Sequence, residues 1–224
     1  NLHFNHDCRL SYEYGEWYLH VPVKYTVKVK QPKYEVCSLD PGVRKFQTVY
    51  SEEMIVKIGV KKEILRKLHD KLDSFQSLRD RKIIKNKIFK RRERRIRYRI
   101  QNLVDDLHWK TITFLTDNFK TIFLPRFESQ EIARKMSFRT VNRTLLTLKH
   151  YQFLQRLRNK CKMTENCNLV ICSEEFTSKT CGVCGNITNI GASKVFECSN
   201  CGLIIDRDVN GARNILIKVI NEMF

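Results

Sequence analysis

The sequence predicts an α/β protein with an inserted cysteine knuckle that holds a metal ion. Three observations carry that prediction. Three short runs of β-type residues give way to long stretches of helical period, after which strand and helix alternate. Two Cys-x-x-Cys pairs, separated by thirteen residues, lie near the carboxyl end. The 224 residues carry 42 Lys+Arg against 24 Asp+Glu, a formal net charge of +18, and a field of that sign points to a polyanionic partner, nucleic acid first.

The elements follow in order. Residues 8–30 alternate polar and apolar side chains, through Arg9-Leu10-Ser11-Tyr12 and Trp17-Tyr18-Leu19-His20-Val21, with Gly15 at the turn. They predict an antiparallel hairpin, and Gln31-Pro32-Lys33 reads as a linker. Three β-type runs, 34–39, 45–50 and 54–58, form a predicted antiparallel meander, broken by Asp40-Pro41-Gly42 and Ser51-Glu52-Glu53. Asp40 stands at the exit of the first strand.

From 61 to 118 the period becomes helical. Leu65, Leu68, Leu72 and Phe75 trace one stripe; Ile96, Ile100, Leu103, Leu107 and Phe114 trace another. This predicts a long helical hairpin. Between the stripes, residues 79–99 hold twelve Lys/Arg against two Asp/Glu, a local net of +10. That excess is too lopsided for ion pairs along the helix to offset, so phosphate contact is the expected role of Lys82, Lys85, Lys87, Lys90, Arg91, Arg92, Arg94 and Arg95. Phe89 and Tyr98 in the same run read as packing residues.

Residues 120–124 predict a buried strand ended by Pro125, followed by a polar loop. Val141, Leu145, Leu148, Tyr151, Leu154, Leu157 and Cys161 trace one face of a second helix, and residues 168–172 predict a further buried strand. A last helix begins at about Asp208. A meander followed by alternating helix and strand is the order of a ribonuclease H-like fold, although many α/β chains share it.

The cysteine pairs are Cys181-Gly-Val-Cys184-Gly and Cys198-Ser-Asn-Cys201-Gly. Two thiolates separated by two residues reach one ion, and the glycine after each pair permits the tight turn. Four such thiolates suit structural Zn2+ and leave no open coordination position; spacing alone does not separate zinc from iron. The spacer is slightly under the usual length for this motif but accommodates a β-hairpin. Nine cysteines in all, an odd number, favour a reducing compartment and a metal over disulfides.

No stretch of about 18 apolar residues exists to span a membrane, and the first residues lack the sections of a signal peptide. The chain starts without Met inside strand-like sequence and is expected to be an internal part of a longer protein. An intracellular location is expected, the nucleus if the source is eukaryotic or viral and the cytoplasm if it is bacterial.

Acidic residues stand where a two-metal carboxylate site needs them: Asp40 at a strand end, Glu174 and Glu175 just past a buried strand, and Asp208 at a helix start. Mg2+ takes hard oxygen ligands, and a pair of such ions activates water and stabilises the leaving oxygen. Each acid also has a plainer reading: Asp40 as a turn residue, Asp206 or Asp208 as a helix cap, Glu174 and Glu175 as solvated loop.

SLDPG, the TSKTCGVCG…FECSNCG block and DRDVNGARNI together resemble the transposon-encoded TnpB nucleases and their eukaryotic and viral relatives, the Fanzor proteins; type V CRISPR effectors are more distant kin. The helix RTVNRTLLTLKHYQFLQRL resembles the segment preceding that block in the family. The resemblance covers residue 34 to the carboxyl end. It implies residues 1–33 as the end of a wedge-like β domain, 34–172 as a RuvC-type nuclease domain containing the basic hairpin, 173–203 as a zinc ribbon and 204–224 as the final nuclease segment. The family's recognition lobe would lie upstream.

The resemblance further implies a Mg2+-dependent DNA endonuclease directed by guide RNA to target DNA. Its first acid is Asp40 and its last Asp208, with Asp206 the nearest rival. In most TnpB proteins the middle acid ends the strand that here finishes in Pro125, with Glu128 three residues on. In the Fanzor-like branch a glutamate before the ribbon substitutes, which gives Glu174 or Glu175, Glu174 preferred. His108 and His150 read as packing residues. The competing reading is a nucleic-acid binder whose nuclease site has decayed; a plain zinc-ribbon protein leaves the Asp40 strand unexplained.

Overall fold

The computed structural model describes residues 6–135, 138–173, 177–191 and 193–223. β1 (Arg9–Glu13) and β2 (Glu16–His20) form the predicted hairpin. Its two turn residues, Tyr14 and Gly15, have φ of 51 and 91°, the left-handed pair that suits the twist of a two-residue hairpin. After β3 (Lys28–Val29) come β4 (Tyr34–Pro41), β5 (Gln47–Tyr50) and β6 (Ile55–Ile58), the antiparallel meander expected from the sequence. The strand does not end before Asp-Pro, however. Asp40 pairs with Thr48 and Pro41 with Gln47, and proline, which lacks an N–H, takes the last position of the strand, where its donor is not missed.

α1 (Lys62–Asp80) and α2 (Asn86–Asn118) form the helical hairpin. There follow β7 (Phe119–Pro125), α3 (Ser129–Lys135), α4 (Arg139–Thr147), α5 (His150–Lys162), β8 (Thr164–Glu165), β9 (Asn168–Cys172), β10 (Val195–Glu197), β11 (Ile204–Asp206) and α6 (Arg207–Met223). The segment expected to be a polar loop holds α3, with Glu131 in its first turn, where a carboxylate favours the helix dipole. The single helix expected over 141–161 is two, because Lys149 has φ 50°, a conformation a right-handed helix cannot contain. The apolar stripe continues across this bend, Leu145 and Leu148 before it and Phe153, Leu157 and Cys161 after it being buried. The periodicity therefore carries no sign of the break. The two-residue parallel ladder of β3 with β8 is too short to leave a periodic signal.

The chain divides into two compact units, Asn1–Thr26 with Val60–Asp106, and Val27–Gly59 with Leu107–Phe224. In the first, the stripe of Leu65, Leu68 and Leu72 is buried together with Phe89. Arg79 and Arg92 of the hairpin lie over the rings of Phe89 and Phe75, their guanidinium carbons 4.6 and 4.7 Å from the centroids. Tyr98 packs against Tyr14 at a centroid distance of 5.9 Å.

The second unit is built on a five-stranded sheet of order β6-β5-β4-β7-β9. β4, β7 and β9 are parallel, and the meander edge is antiparallel, the ribonuclease H-like arrangement. Phe123 of β7 joins Ile215, Leu216 and Val219 of α6 in a core cluster, against which Val36, Val170 and Cys172 also pack. Residues of the opposite parity, Leu39, Val49 and Ile122, are wholly buried on the other face. There Phe46 stacks on His108 and His150 at 5.1 and 5.0 Å, and Phe153 meets Phe46 and His108 edge-on at 4.9 and 5.4 Å. His108 is fully buried, its Nε2 donating to the Leu148 carbonyl at 2.8 Å while Nδ1 accepts from Arg156, so both histidines are packing residues as the sequence suggests. No described helix is long and apolar enough to cross a membrane.

Candidate metal centres and nucleic-acid interface

The two cysteine knuckles fold in the same way. Gly185 and Gly202 have φ of 73 and 71°, a region open to glycine at little cost. Each donates its N–H at 3.0 Å to the carbonyl of the first cysteine of its pair, Cys181 and Cys198. The Sγ atoms of Cys181 and Cys201 lie 3.6 Å apart, as do those of Cys184 and Cys198, and all four are within 4.8 Å of one another. Thiolates about 2.3 Å from a tetrahedral ion would be separated by about 3.8 Å, so the donor set fits a metal ion. Backbone N–H donors hold the Cys184 and Cys198 thiols below their ordinary value, Cys198 at about 6 through the N–H of Cys201, the direction that favours a metal-binding thiolate; in the metal-free set Cys201 is pushed up, burial and the neighbouring thiols outweighing the Leu203 N–H. Among the described residues this is the one group of three or more His, Cys, Asp or Glu side chains close enough to share an ion.

The knuckle is fastened to α6 by two asparagines that the sequence reading did not single out. Asn210 donates Nδ2 to the Thr180 carbonyl at 2.8 Å, and Asn214 donates to the carbonyls of Thr177 and Thr180 at 2.7 and 2.6 Å. A Cβ on Gly182 would meet Asn214 Oδ1 at 2.7 Å, so this glycine lets the knuckle backbone approach the helix. The signal available in the sequence is the i,i+4 spacing of Asn210 and Asn214 on an otherwise apolar face.

The same helix meets the end of β4. Ser38 Oγ donates to the Ala212 carbonyl at 2.7 Å. Two residues along the strand, and so on the same face, the Asp40 carboxylate lies against Gly211: a Cβ there would be 3.1 Å from Oδ2. A glycine inside a helix costs about 1 kcal/mol relative to alanine, and here its bareness admits the carboxylate. Asp208 stands one turn earlier on that side of α6. Asp206 is the helix cap, its Oδ1 accepting from the N–H groups of Asp208 and Val209 at 3.0 and 3.2 Å. It also pairs with Lys57 at 2.6 Å. Burial alone would raise the Asp206 carboxyl, but Lys57 and the two N–H donors outweigh it and hold the group below its ordinary value.

Glu174 and Glu175 lie outside the described residues. In the sheet register Ser38 pairs with Phe123 and Pro125 with Cys172, so continuing the ladder by two residues sets Pro125 between Asp40 and Cys172 at one edge. Glu128 lines a cavity of about 630 Å³ at that edge, together with Gln47, His150, Arg126 and Arg158. Gln47 has the parity of Leu39 and Val49, and so belongs to the face turned away from Asp40. Among the described residues neither ring nitrogen of His150 has a hydrogen-bond partner, although the Gly42 backbone is near enough to favour the charged form slightly; burial first and the neighbouring His108 second bring its pKa down to about 4.

All eight basic residues singled out on the hairpin are exposed. Arg92 lies over Phe75 and the Arg94 side chain covers Gly15, where a Cβ would meet its Cζ at 2.7 Å. Phe89, 3% exposed, is a packing residue.

The family described as Cas12f1-like, TNB domain, matches residues 150–215. The chain is 36% identical over 225 residues to "Putative transposase A625R" of Paramecium bursaria Chlorella virus 1, covering 95% of this chain and 50% of that protein. It is 34% identical over 201 residues to "TnpB-like protein L79" of Acanthamoeba polyphaga mimivirus, covering 83% and 38% respectively. The chain thus spans half or less of the length of these relatives. Among solved structures, its fold is similar to that of the protein in "Cryo-EM structure of the Cas12f1-sgRNA-target DNA complex", with a TM-score of 0.55 at 16% identity over 92% of this chain and 54% of that one. It is similar also to that in "Structure of the mini-RNA-guided endonuclease CRISPR-Cas_phi3", with a TM-score of 0.54 at 10% identity over 88% and 48%. The four-cysteine knuckle, the ribonuclease H-like sheet and these relatives agree: the chain belongs to the TnpB family.

Proposed function

We propose that this chain carries the RuvC-type nuclease site of an RNA-guided DNA endonuclease associated with a mobile element. The observation that supports the reading is the Asp40 carboxylate seated on Gly211 of α6; Asp208 precedes Gly211 by three residues on the same helix, a spacing from which a second carboxylate can serve a hard-oxygen site. Asp40, Glu174 and Asp208 are the proposed ligands. Glu174, nearer in sequence than Glu175 to the strand that ends at Cys172, is preferred in the role that Pro125 cannot fill, in keeping with the Fanzor-like branch. Bound Mg2+ would supply activation of the attacking water and neutralisation of charge at the leaving oxygen. Asp40 and Asp208 would orient the ions, Asp206 would hold the start of α6 in place, and the exposed cations of the hairpin would engage phosphates without reading sequence. Guide RNA and target DNA are the proposed partners, with base pairing supplying the choice of target. The four cysteines would hold Zn2+, which would brace the segment between β9 and α6. The corresponding location is the nucleus for a eukaryotic or viral source and the cytoplasm for a bacterial one.

A second reading, a nucleic-acid binder whose cutting has decayed, is favoured by Pro125 at the strand end where most of the family carries an acid. One assay separates the two. Full-length protein with its own RNA, Mg2+ and a matched duplex is expected to cut, and Asp40→Ala to abolish cutting while guide binding persists. Cutting by Asp40→Ala overturns the site assignment; RNA and DNA binding without any cutting by the unmodified protein establishes the second reading.

A further inference from the structure

Three thiols outside the metal knuckle lie close together, on β4, at the end of α5 and at the start of β9. Cys161 is in the last turn of α5 and Cys167 stands just before β9. Their Sγ atoms are 3.4 Å apart, in hydrogen-bond contact. Cys37 of β4 is near enough to act on both through its charge but is wholly buried, whereas Cys161 and Cys167 are each 6% exposed. These two belong to a surface turn, in which Lys162, Met163, Glu165, Asn166 and Asn168 are all exposed. The ladder of β3 with β8 carries Lys30, which also pairs with Asp117, to the same turn. A buried cysteine is ordinarily an inert small hydrophobe, and Cys37 fits that description, since burial pushes its thiol well up. The other two differ. The contact with Cys161 first and the Lys30 ammonium after it outweigh burial and hold Cys167 below its ordinary value. The same contact, with burial, pushes Cys161 up. One sulfur is thus favoured as thiolate and its neighbour as thiol, the division that oxidation of a dithiol requires.

We propose that Cys161 and Cys167 are a redox-active dithiol, a modification site that a peroxide closes to a disulfide. The Cys167 thiolate attacks one oxygen of hydrogen peroxide; the O–O bond breaks, and the other oxygen takes up a proton and leaves as water, with Cys167 left as sulfenic acid. The Cys161 sulfur then attacks the Cys167 sulfur. The S–S bond forms as the S–O bond breaks, and the hydroxyl leaves with the Cys161 proton as a second water. Two thiols and one peroxide become one disulfide and two waters, two electrons passing from sulfur to the peroxide oxygens. From their present separation the sulfurs approach by about 1.4 Å to reach bonding distance, and the surface turn between them is the kind of segment that opens locally at low cost. The bond would tie the end of α5 to the start of β9. The inference rests on neither the metal knuckle nor the carboxylate site, so it stands whether or not the protein cuts DNA.

The test treats the full-length, zinc-loaded protein with hydrogen peroxide, blocks the remaining thiols, and maps tryptic peptides by mass spectrometry without reduction. Cleavage after Lys160, Lys162 and Lys179 puts Cys161 and Cys167 on separate peptides, 161–162 and 163–179. The expected product is these two joined, two hydrogens lighter than their sum, at least ten-fold in excess of any disulfide to Cys37, and separated again by dithiothreitol. Fragmentation between residues 167 and 172 shows which sulfur of the longer peptide is bonded, so the assignment needs no substituted chain. Cys167→Ser is expected to abolish the link, and Cys161→Ser to leave Cys167 as a sulfenic acid that dimedone captures. Peptides that stay separate after peroxide overturn the proposal, as does a bond that fragmentation places on Cys172 or a Cys37 disulfide in equal amount. Dimedone capture at Cys161 in Cys167→Ser, with none at Cys167 in Cys161→Ser, overturns the assignment of Cys167 as the attacking sulfur.

Discussion

His150 makes the chain sensitive to mild acid in a way that can be calculated. The ring is stacked on Phe46 and packed at a tilt against Phe127, with His108 close by, and has a pKa of about 4 in the folded chain against an ordinary 6.5. Between those values the unfolded chain takes up a proton on this residue and the folded chain does not, so stability falls as pH falls through 6.5 and the loss saturates below about 4. At about 1.36 kcal/mol per unit of difference, the residue removes almost nothing at pH 8, about 0.8 kcal/mol at pH 6 and about 2 kcal/mol at pH 5. His150→Phe keeps an aromatic ring in the stack and cannot titrate. Urea unfolding of both chains at pH 8, 7, 6 and 5 measures the effect, and metal loss in acid, common to both, cancels in the difference. The stability of His150→Phe relative to the parent should rise by about 2 kcal/mol from pH 8 to pH 5. A difference that stays constant with pH would refute a buried, neutral His150.

Three further outcomes follow from the geometry of α6 and the knuckle. Gly211→Ala gains up to about 1 kcal/mol of helix propensity but sets a Cβ 3.1 Å from the Asp40 carboxylate; the unfolding free energy should change by less than about 1 kcal/mol while cutting by the full-length protein falls at least ten-fold, and unimpaired cutting would separate Asp40 from the chemistry. Asp206→Ala removes the acceptor for two N–H groups and the partner of Lys57 and should cost about 1–2 kcal/mol in urea unfolding, with Asp206→Asn recovering most of the loss. Zinc released by thiol modification, read with a colorimetric chelator, should reach one ion per chain, and Cys198→Ser should lower that stoichiometry and expose Thr180, whose carbonyl is anchored to α6, to faster proteolysis of the knuckle.

The sequence by itself determined the elements whose physics is local. Alternation and Gly15 specify the first hairpin, the 3.6 period specifies α1 and α2, and the doubled Cys-x-x-Cys-Gly specifies a four-thiolate metal site, because two thiols two residues apart and a left-handed glycine are short-range requirements. It also named Asp40 and Asp208 as candidates. It did not reveal the bend at Lys149, because the apolar stripe passes through it unchanged, nor α3, whose seven residues are too few to show a period.

Tertiary structure decided what depends on residues distant in the chain. Asp-Pro-Gly reads as a turn in isolation, yet pairing with β5 draws Asp40 and Pro41 into the strand. Asp206 and Asp208 are indistinguishable as caps until the backbone shows which oxygen accepts the N–H bonds. Gly211 reads as a weak point in a helix until Asp40, 171 positions earlier in the sequence, is found against it. Gln47 reads as an ordinary strand residue until the sheet buries its amide with no partner among the described residues. Short-range chemistry is written in spacing; close approach and desolvation exist only after the chain has packed.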